Sequence, residues 1–340
     1  MKHIKKSLAA LLAVLVGIMS LQACVLITHA DSFFEYGDFR FSVNRDDTLS
    51  LAGYHGSETT LMLPDRVDNR IVTGIYRSAF QNTDVVSVSI PEGYSVIGMS
   101  AFEGCASLRT VEFPSTLKSI GMMAFYQCTA LQNPDFSAAA PESIGMFAFS
   151  GCSSLTNIAL PDSLTKLGDS AFGSCERLAK LRLPAGLTAI GDYAFANDPA
   201  LGSVDLPLSL KTIGEGAFEN DTALEGVFIP ESVTAIGANA FAPMLESEDF
   251  AICCFSGTAA ESYFTENATV NLTHHERIIG DVNFDGCLDI ADATFIQMDL
   301  AGYDVIRTSV IREMADVNAD GSVNITDVTT IQRILAELPV

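Results

Sequence analysis

Tryptophan is absent from the chain, and basic residues are scarce: 19 Lys and Arg stand against 42 Asp and Glu, a formal net charge of −23. The first absence removes the indole platform on which sugar rings commonly stack. The second excludes a phosphate-backbone partner and suits a soluble exported protein. Histidine is nearly missing too. Outside the first 30 residues only His55, His274 and His275 occur, and they form no H-E-x-x-H or other zinc spacing. The eight cysteines include no C-x-x-C, so a dithiol redox site has nothing to rest on. Gly98-Met-Ser-Ala-Phe102 lacks the final Gly of a nucleophile elbow, and the same slot recurs as Gly168-Asp-Ser-Ala-Phe172. No Walker or dinucleotide loop is present. These absences leave binding, rather than catalysis, as the expected class of function.

Long apolar runs are also lacking, with one exception. Lys2, Lys5 and Lys6 precede an apolar stretch from Leu8 to about Leu21, which is short for a spanning helix. Residues 1–30 are expected to be a signal peptide. Leu21-Gln-Ala-Cys24 is close to a lipobox and would anchor a lipoprotein at Cys24, whereas Thr28-His-Ala30 suits ordinary cleavage before Asp31. The mature protein is expected to be secreted, extracellular or associated with the cell surface.

What is abundant is repetition. An Ala-Phe pair recurs with Phe at 80, 102, 125, 149, 172, 195, 218 and 241, and Gly recurs at 74, 98, 121, 145, 168, 191, 214 and 237. A fixed period of this size means a solenoid, whose coils cannot bury their apolar faces alone and must stack. Val111 and Phe113 alternate with Glu112, so the piece before Pro114 is expected as a short half-buried strand. Pro114, Pro161, Pro184, Pro207 and Pro230 end such strands by removing a ladder donor. Ile120, Phe125, Cys128 and Leu131 fall at interior positions. Eight coils about 4.8 Å apart give a core roughly 40 Å long. Cys105, Cys128, Cys152 and Cys175 share one phase, three residues after Phe, and Asp198, Asp221 and Met244 follow there. They are expected as small core residues rather than disulfides. The outward strand residues Glu112, Asp135, Ala159, Arg182, Asp205 and Phe228 form no aromatic stripe.

The residue after each repeat Gly is Met99, Met122 and Met146, then Asp169, Asp192 and Glu215. Stacking turns these into rows. With Met123, Tyr126 and Phe147 beside it, the Met row is either an adaptable apolar patch or coil packing; inward packing is the expectation. The acidic row is expected as a solvated face.

Near the C-terminus, Asp281-Val-Asn-Phe-Asp-Gly-Cys-Leu-Asp-Ile-Ala-Asp292 and Asp316-Val-Asn-Ala-Asp-Gly-Ser-Val-Asn-Ile-Thr-Asp327 repeat one pattern. A calcium ion takes six to eight oxygens, and a 12-residue loop offers them from positions 1, 3, 5, 7, 9 and 12. Position 6, where the loop turns sharply, is Gly286 and Gly321. Apolar residues follow at helical spacing: Phe295, Ile296 and Leu300 within 293–301, and Val328, Ile331, Ile334, Leu335 and Leu338 within 328–338. Each unit reads as loop then helix.

Residues 280–340 resemble a type I dockerin through the D-V-N-x-D-G strings and the segments Ile290 to Gln297 and Ile325 to Gln332. The resemblance implies two Ca2+ ions. It places the ligands at Asp281, Asn283, Asp285, Cys287 (carbonyl), Asp289 and Asp292, then at Asp316, Asn318, Asp320, Ser322 (carbonyl), Asn324 and Asp327. It implies a cohesin module of a scaffoldin as partner, as in cellulosomes. That partner would meet Ile290, Ala291, Gln297, Met298, Ile325, Thr326, Gln332 and Arg333. The repeat, with its I-G-x-x-A-F-x-x-C-x-x-L string, is similar to the BspA-type leucine-rich repeat.

The expected architecture is an α/β repeat: a β-rich leucine-rich-repeat solenoid of about eight coils, then a small all-α calcium-binding dockerin. The expected divisions are a signal peptide at 1–30, a β-rich N-terminal segment at 31–70, repeats at 71–250, a cap at 251–273, a linker with a solvated His274-His275 pair at 274–279, and the dockerin at 280–340. The expected function is non-catalytic recognition of an unidentified protein or surface by the rod, displayed through the dockerin. The alternatives are a cell-surface adhesin, or a cellulosomal enzyme or inhibitor acting on plant polysaccharide or protein.

Overall fold

A coil of 22 to 24 residues has too little interior to stand alone, so its backbone and apolar face are completed by its neighbours. In the computed structural model this happens through ladders running along the rod. The structure describes residues 33–246, 250–255, 257–267, 273–275, 279–282, 288–303, 306, 312 and 314–337. The leader expected at 1–30 lies outside them.

The rod begins with an antiparallel meander, β1 (Phe33–Tyr36), β2 (Phe39–Val43) and β3 (Leu49–Tyr54). Two short strands, β4 (Thr60–Met62) and β5 (Arg66–Val67), precede β6 (Arg70–Ile75), which lies parallel to β3. From β6 a parallel ladder steps through Ile97, Ile120, Ile144, Leu167, Ile190, Ile213 and Ile236, completing a twelve-stranded sheet. A second ladder holds the strands before the prolines. It joins β4, Ser87–Ser89 and Thr110–Glu112, and resumes as Asn157–Ala159 with Lys180–Arg182. It ends as Gly226–Ile229, Ala251–Phe255 and Thr273–His275. Thr273–His275 thus extends the cap ladder past the boundary expected at residue 273, and His274-His275 belongs to a strand.

Between the ladders, the turn carrying Ala-Phe is hydrogen-bonded from coil to coil. Phe102 N–H donates to Ala124 O at 2.7 Å and Phe125 N–H to Ala148 O at 2.7 Å. These bonds satisfy backbone groups that would otherwise be buried unpaired. Beneath them lie eight fully buried phenylalanines stacked in one column, with centroids 4.8 Å apart from Phe80 to Phe102 and 5.1 Å from Phe149 to Phe172. Tilted rings close both ends: Tyr54 against Phe80, and Phe250 and Phe264 against Phe241. Phe264 comes from helix α1 (Ala259–Asn267).

The repeat glycines from 98 to 237 have a steric reason. A Cβ at Gly145 would lie 2.7 Å from Met122 N, and one at Gly168 would lie 2.7 Å from Gly145 C. From Gly121 on, each glycine backs onto the glycine peptide of the preceding coil, and Gly98 backs onto the Tyr76 peptide. Gly74 is not part of this column. It pairs with Val96, so the position matching Gly98 in its coil is Tyr76.

Cys105, Cys128, Cys152 and Cys175 are buried free thiols, in keeping with a core role. Burial pushes all four thiols above the usual range.

The C-terminal segment has its own apolar cluster: Val282, Ala293, Ile296, Ile306, Ala315, Val328 and Ile331. Two helices in it, α2 (Ile290–Met298) and α3 (Ile325–Leu335), pack on each other. Both begin three residues before the positions expected from the apolar spacing. The reason is a pair of capping boxes, in which Asp289 with Asp292, and Asn324 with Asp327, satisfy first-turn N–H groups. Leu300 falls in a π-turn after α2 and is exposed, as are Ile334 and Leu335 near the end of α3; none is core. Leu338 lies outside the described residues.

Candidate calcium loops and recognition face

The second loop is described throughout. Asp316 Oδ1 accepts from Asp320 N–H at 2.9 Å and its Oδ2 from Gly321 N–H at 2.8 Å. Asn318 Oδ1 accepts from Asp320 N–H, and Asp320 Oδ1 from Ser322 N–H. Gly321 turns with φ +85°, a left-handed conformation that glycine adopts without steric cost. Asp327 is fully buried and ties the loop to its helix: Oδ1 accepts from Asn318 N–H at 3.3 Å and Oδ2 from Asn324 N–H at 2.9 Å. Asn324 accepts from Thr326 N–H at 2.8 Å, and its amide donates to the Ser322 carbonyl.

The first loop is described only at its ends; Asn283, Asp285, Gly286 and Cys287 lie outside the described residues. Its ends repeat the same arrangement. Asp292, fully buried, accepts from Val282 N–H at 2.8 Å and from Asp289 N–H at 2.9 Å, while Asp289 accepts from Ala291 N–H at 2.6 Å. Asp281 is buried beside it.

Among the described residues, no three acidic, His or Cys side chains converge on one point. The loop carboxylates are folded onto backbone N–H groups. The donor set still fits a hard dication, because the side chains at the second loop's positions 1, 3, 5, 9 and 12 are all carboxylates or amides. Sequence spacing gave these residues their positions. It did not give the double use of Asp292 and Asp327 as loop closure and helix cap.

The residues assigned to a protein partner lie at the surface. Ile290 and Ile325 occupy the same register and are 60% and 59% exposed. Gln297, Met298, Thr326, Gln332 and Arg333 are exposed, and Ala291 is half-buried. Leu300 and Tyr303 add exposed apolar surface that the helical spacing did not single out.

On the rod, the row after the repeat glycines faces solvent. Met99, Met122 and Met146 are 41%, 38% and 42% exposed, which overturns the expectation of inward packing. The cause is the turn itself: the next residue in each coil, for example Met123 or Phe147, is left-handed (φ 57° and 55°), and the chain changes direction there. Tyr126 and Phe147, half-buried, meet edge to face at 6.4 Å beside the row. The row continues as acids. Asp169 Oδ1 accepts from Asp192 N–H at 3.1 Å, Asp192 Oδ1 from Glu215 N–H at 2.8 Å, and Tyr193 donates to Glu215 at 2.7 Å.

Where the second ladder is interrupted, a cleft of about 620 Å³ is lined by Asn133, Asp135, Phe136, Asn157, Asp162 and Arg182. Asp162 pairs with Arg182 at 3.3 Å, and hydrogen bonds from Ser137 hold Asp135 below the usual carboxylate range. Asp135 is thus not kept protonated as a general acid requires.

A family model described as "BspA type Leucine rich repeat region" matches in six copies, over residues 73–199, 139–248 and 188–300, which is more than half of the chain. The chain belongs to the BspA-type leucine-rich repeat family. A model of the dockerin type I domain matches residues 279–336, so the leucine-rich repeat rod is followed by a type I dockerin. Dockerins of this type bind calcium. Among solved structures, a leucine-rich repeat protein of T. pallidum, TpLRR, is 29% identical, with 57% of this chain and 91% of that one covered at a TM-score of 0.52. A leucine-rich repeat protein from Bacteroides ovatus is 26% identical, covering 65% of this chain and 64% of that one at a TM-score of 0.47. No curated protein sequence matches the chain. Neither family model brings a catalytic domain. Among the described residues no helix is long and apolar enough to cross a membrane.

Proposed function

We propose that this is an exported, non-catalytic recognition protein whose repeat rod binds a protein or surface and whose dockerin fastens it to a cohesin on a scaffoldin. The observation that carries the reading is the matched pair of loop ends. Asp292 and Asp327, 35 positions apart in equivalent loops, are both fully buried, both close the loop and both cap the helix that follows. Such a duplicated device presents two near-equivalent helix starts, and with them Ile290 and Ile325.

Two calcium ions are part of this reading. Asp316, Asn318, Asp320, the Ser322 carbonyl, Asn324 and Asp327 would hold one; Asp281, Asn283, Asp285, the Cys287 carbonyl, Asp289 and Asp292 would hold the other. Bound there, a dication neutralises carboxylates that otherwise repel, and so joins loop order to helix order. The exposed Met row, running on into acids, supports a protein as the rod's ligand, since flexible thioethers fit irregular apolar surfaces.

The test uses the full mature chain and the Asp281→Ala, Asp316→Ala double variant, each presented to extracts of the source cell surface in calcium and in chelator. The reading expects a cohesin-bearing protein recovered by the parent chain in calcium alone. Retention of that partner by the double variant would sink the dockerin assignment. Calcium-independent attachment of the rod to cells would favour the adhesin reading instead.

A further inference from the structure

The column three residues after each Phe runs Thr83, Cys105, Cys128, Cys152, Cys175, Asp198, Asp221 and Met244. Its four thiols do one job. Each donates to the carbonyl of the Phe in the preceding coil: Cys105 Sγ to Phe80 O at 2.9 Å, Cys128 to Phe102 O at 3.0 Å, Cys152 to Phe125 O at 3.3 Å and Cys175 to Phe149 O at 3.4 Å. Backbone N–H groups reach the same carbonyls from within each coil, as from Cys105 to Phe102 at 3.1 Å and from Cys152 to Phe149 at 3.2 Å.

At Asp198 and Asp221 the pattern changes. Both are fully buried. Asp198 Oδ1 draws the Cys175 N–H to itself at 2.6 Å, and Asp221 Oδ1 draws the Asp198 N–H at 2.8 Å. The carbonyls of Phe172 and Phe195 therefore lose their usual backbone donor. Among the described residues no other hydrogen bond arrives at either. On the other side of each carboxyl, Asp198 Oδ2 and Asp221 Oδ2 are buried without a partner. By register, Asp198 and Asp221 thus occupy the column positions from which the thiols donate, each as far along the chain from a Phe carbonyl that lacks a donor as Cys175 is from Phe149. A proton on each Oδ2 would supply both missing bonds. Ionised, the two groups would be like charges about one coil spacing apart in a dry interior, an arrangement that costs several kcal/mol per ion. Their titratable neighbours are each other and Cys175; the next residue in the column is Met244, and no cation acts on them.

We infer that Asp198 and Asp221 are built into the rod as neutral carboxylic acids, Asp198 Oδ2–H donating to the Phe172 carbonyl and Asp221 Oδ2–H to the Phe195 carbonyl, making the late coils a proton-dependent fastening. Burial, then the neighbouring Asp221, holds Asp198 well above the usual carboxylate range, and burial pushes Asp221 up to about 8. Both shifts are upward, so the sign is set: the contribution is complete below the unfolded value near about 4. It declines as pH rises, because the unfolded chain has released protons that the folded rod keeps. It is lost once pH has passed through the folded value, about 8 for Asp221. Each retained proton changes the unfolding constant about tenfold per pH unit, so two give about a hundredfold.

The experiment is denaturant unfolding of the full chain in saturating calcium from about pH 5.5 to 8.5, beside the Asp198→Asn, Asp221→Asn double variant. Asn presents an N–H₂ where the acid presents O–H. The variant should lose the pH slope of the parent, up to about a hundredfold per unit, and be the more stable of the two at pH 8. The infrared carboxyl band of the folded parent at pH 6.5, assigned by the single Asn variants, reads protonation directly and does not depend on the variants' stability. Equal slopes in parent and double variant, or ionised bands for both residues at pH 6.5, would overturn the inference.

Discussion

Alanine in place of Gly145 should destabilise the rod, although helix and loop statistics favour alanine over glycine in most settings. The Cβ would meet Met122 N at 2.7 Å, Gly121 C at 2.8 Å and Met122 Cα at 3.0 Å, all backbone atoms of the neighbouring coil. Ordinary carbon contacts lie at about 3.5 to 4.0 Å, so two stacked coils would have to part by roughly 0.7 Å with no side chain able to swing away. Overpacking of this kind costs about 1–3 kcal/mol, while removing glycine's freedom from the unfolded chain returns only about 0.4–1 kcal/mol. The net expectation is a loss of about 1–2 kcal/mol. Gly186→Ala is the matched control. Its nearest neighbour would be Asp162 O at 3.8 Å, so the entropic gain should appear alone, as about 0.4–1 kcal/mol of stabilisation. Urea unfolding of the two variants in calcium, with unchanged m-values, measures both. Like signs, or values within about 0.3 kcal/mol of each other, would refute close coil contact as the reason for these glycines.

Phe149→Ala opens the aromatic column between Phe125 at 5.0 Å and Phe172 at 5.1 Å; it should cost about 3–5 kcal/mol and split a single unfolding transition into two, read by calorimetry. Met99, Met122 and Met146 changed together to Ser should alter stability by less than about 1 kcal/mol, because the row is exposed. The same variant should weaken binding to whatever protein the rod recognises, in a titration against the parent.

The rod was legible where a residue's job is repeated in register. Phe125, Ile120, Cys128 and Leu131 are interior because an apolar residue returns to that phase in coil after coil. The ladder through Ser119–Ile120 has no sequence signature, because its strands from Val96–Ile97 onward are two residues long, too short to show alternation. The recurrence of glycine by itself puts Gly74 in the glycine column. Its pairing with Val96 shows a shift of two residues, the same two by which the Gly74-to-Phe80 spacing exceeds the spacing in every later coil. The direction of Met122 depends on the left-handed turn at Met123, a backbone property that hydrophobicity does not encode. In the dockerin, ligand spacing located the loops. The onset of α2 and α3 at Ile290 and Ile325 needed the recognition that one carboxylate serves both loop and helix.

The closed aromatic column has a consequence for how such a protein can vary. Because Tyr54 and the Phe250–Phe264 pair seal the ends, the column's interior is indifferent to how many coils lie between them. Duplicating one coil, such as 122–145, would lengthen the rod by about 4.8 Å and add a single new residue to the solvent row without disturbing either seal. Length and surface text are therefore separable: the seals define a socket, the phenylalanines a shaft of any number of washers, and the residue after each glycine a character that substitution can rewrite one coil at a time.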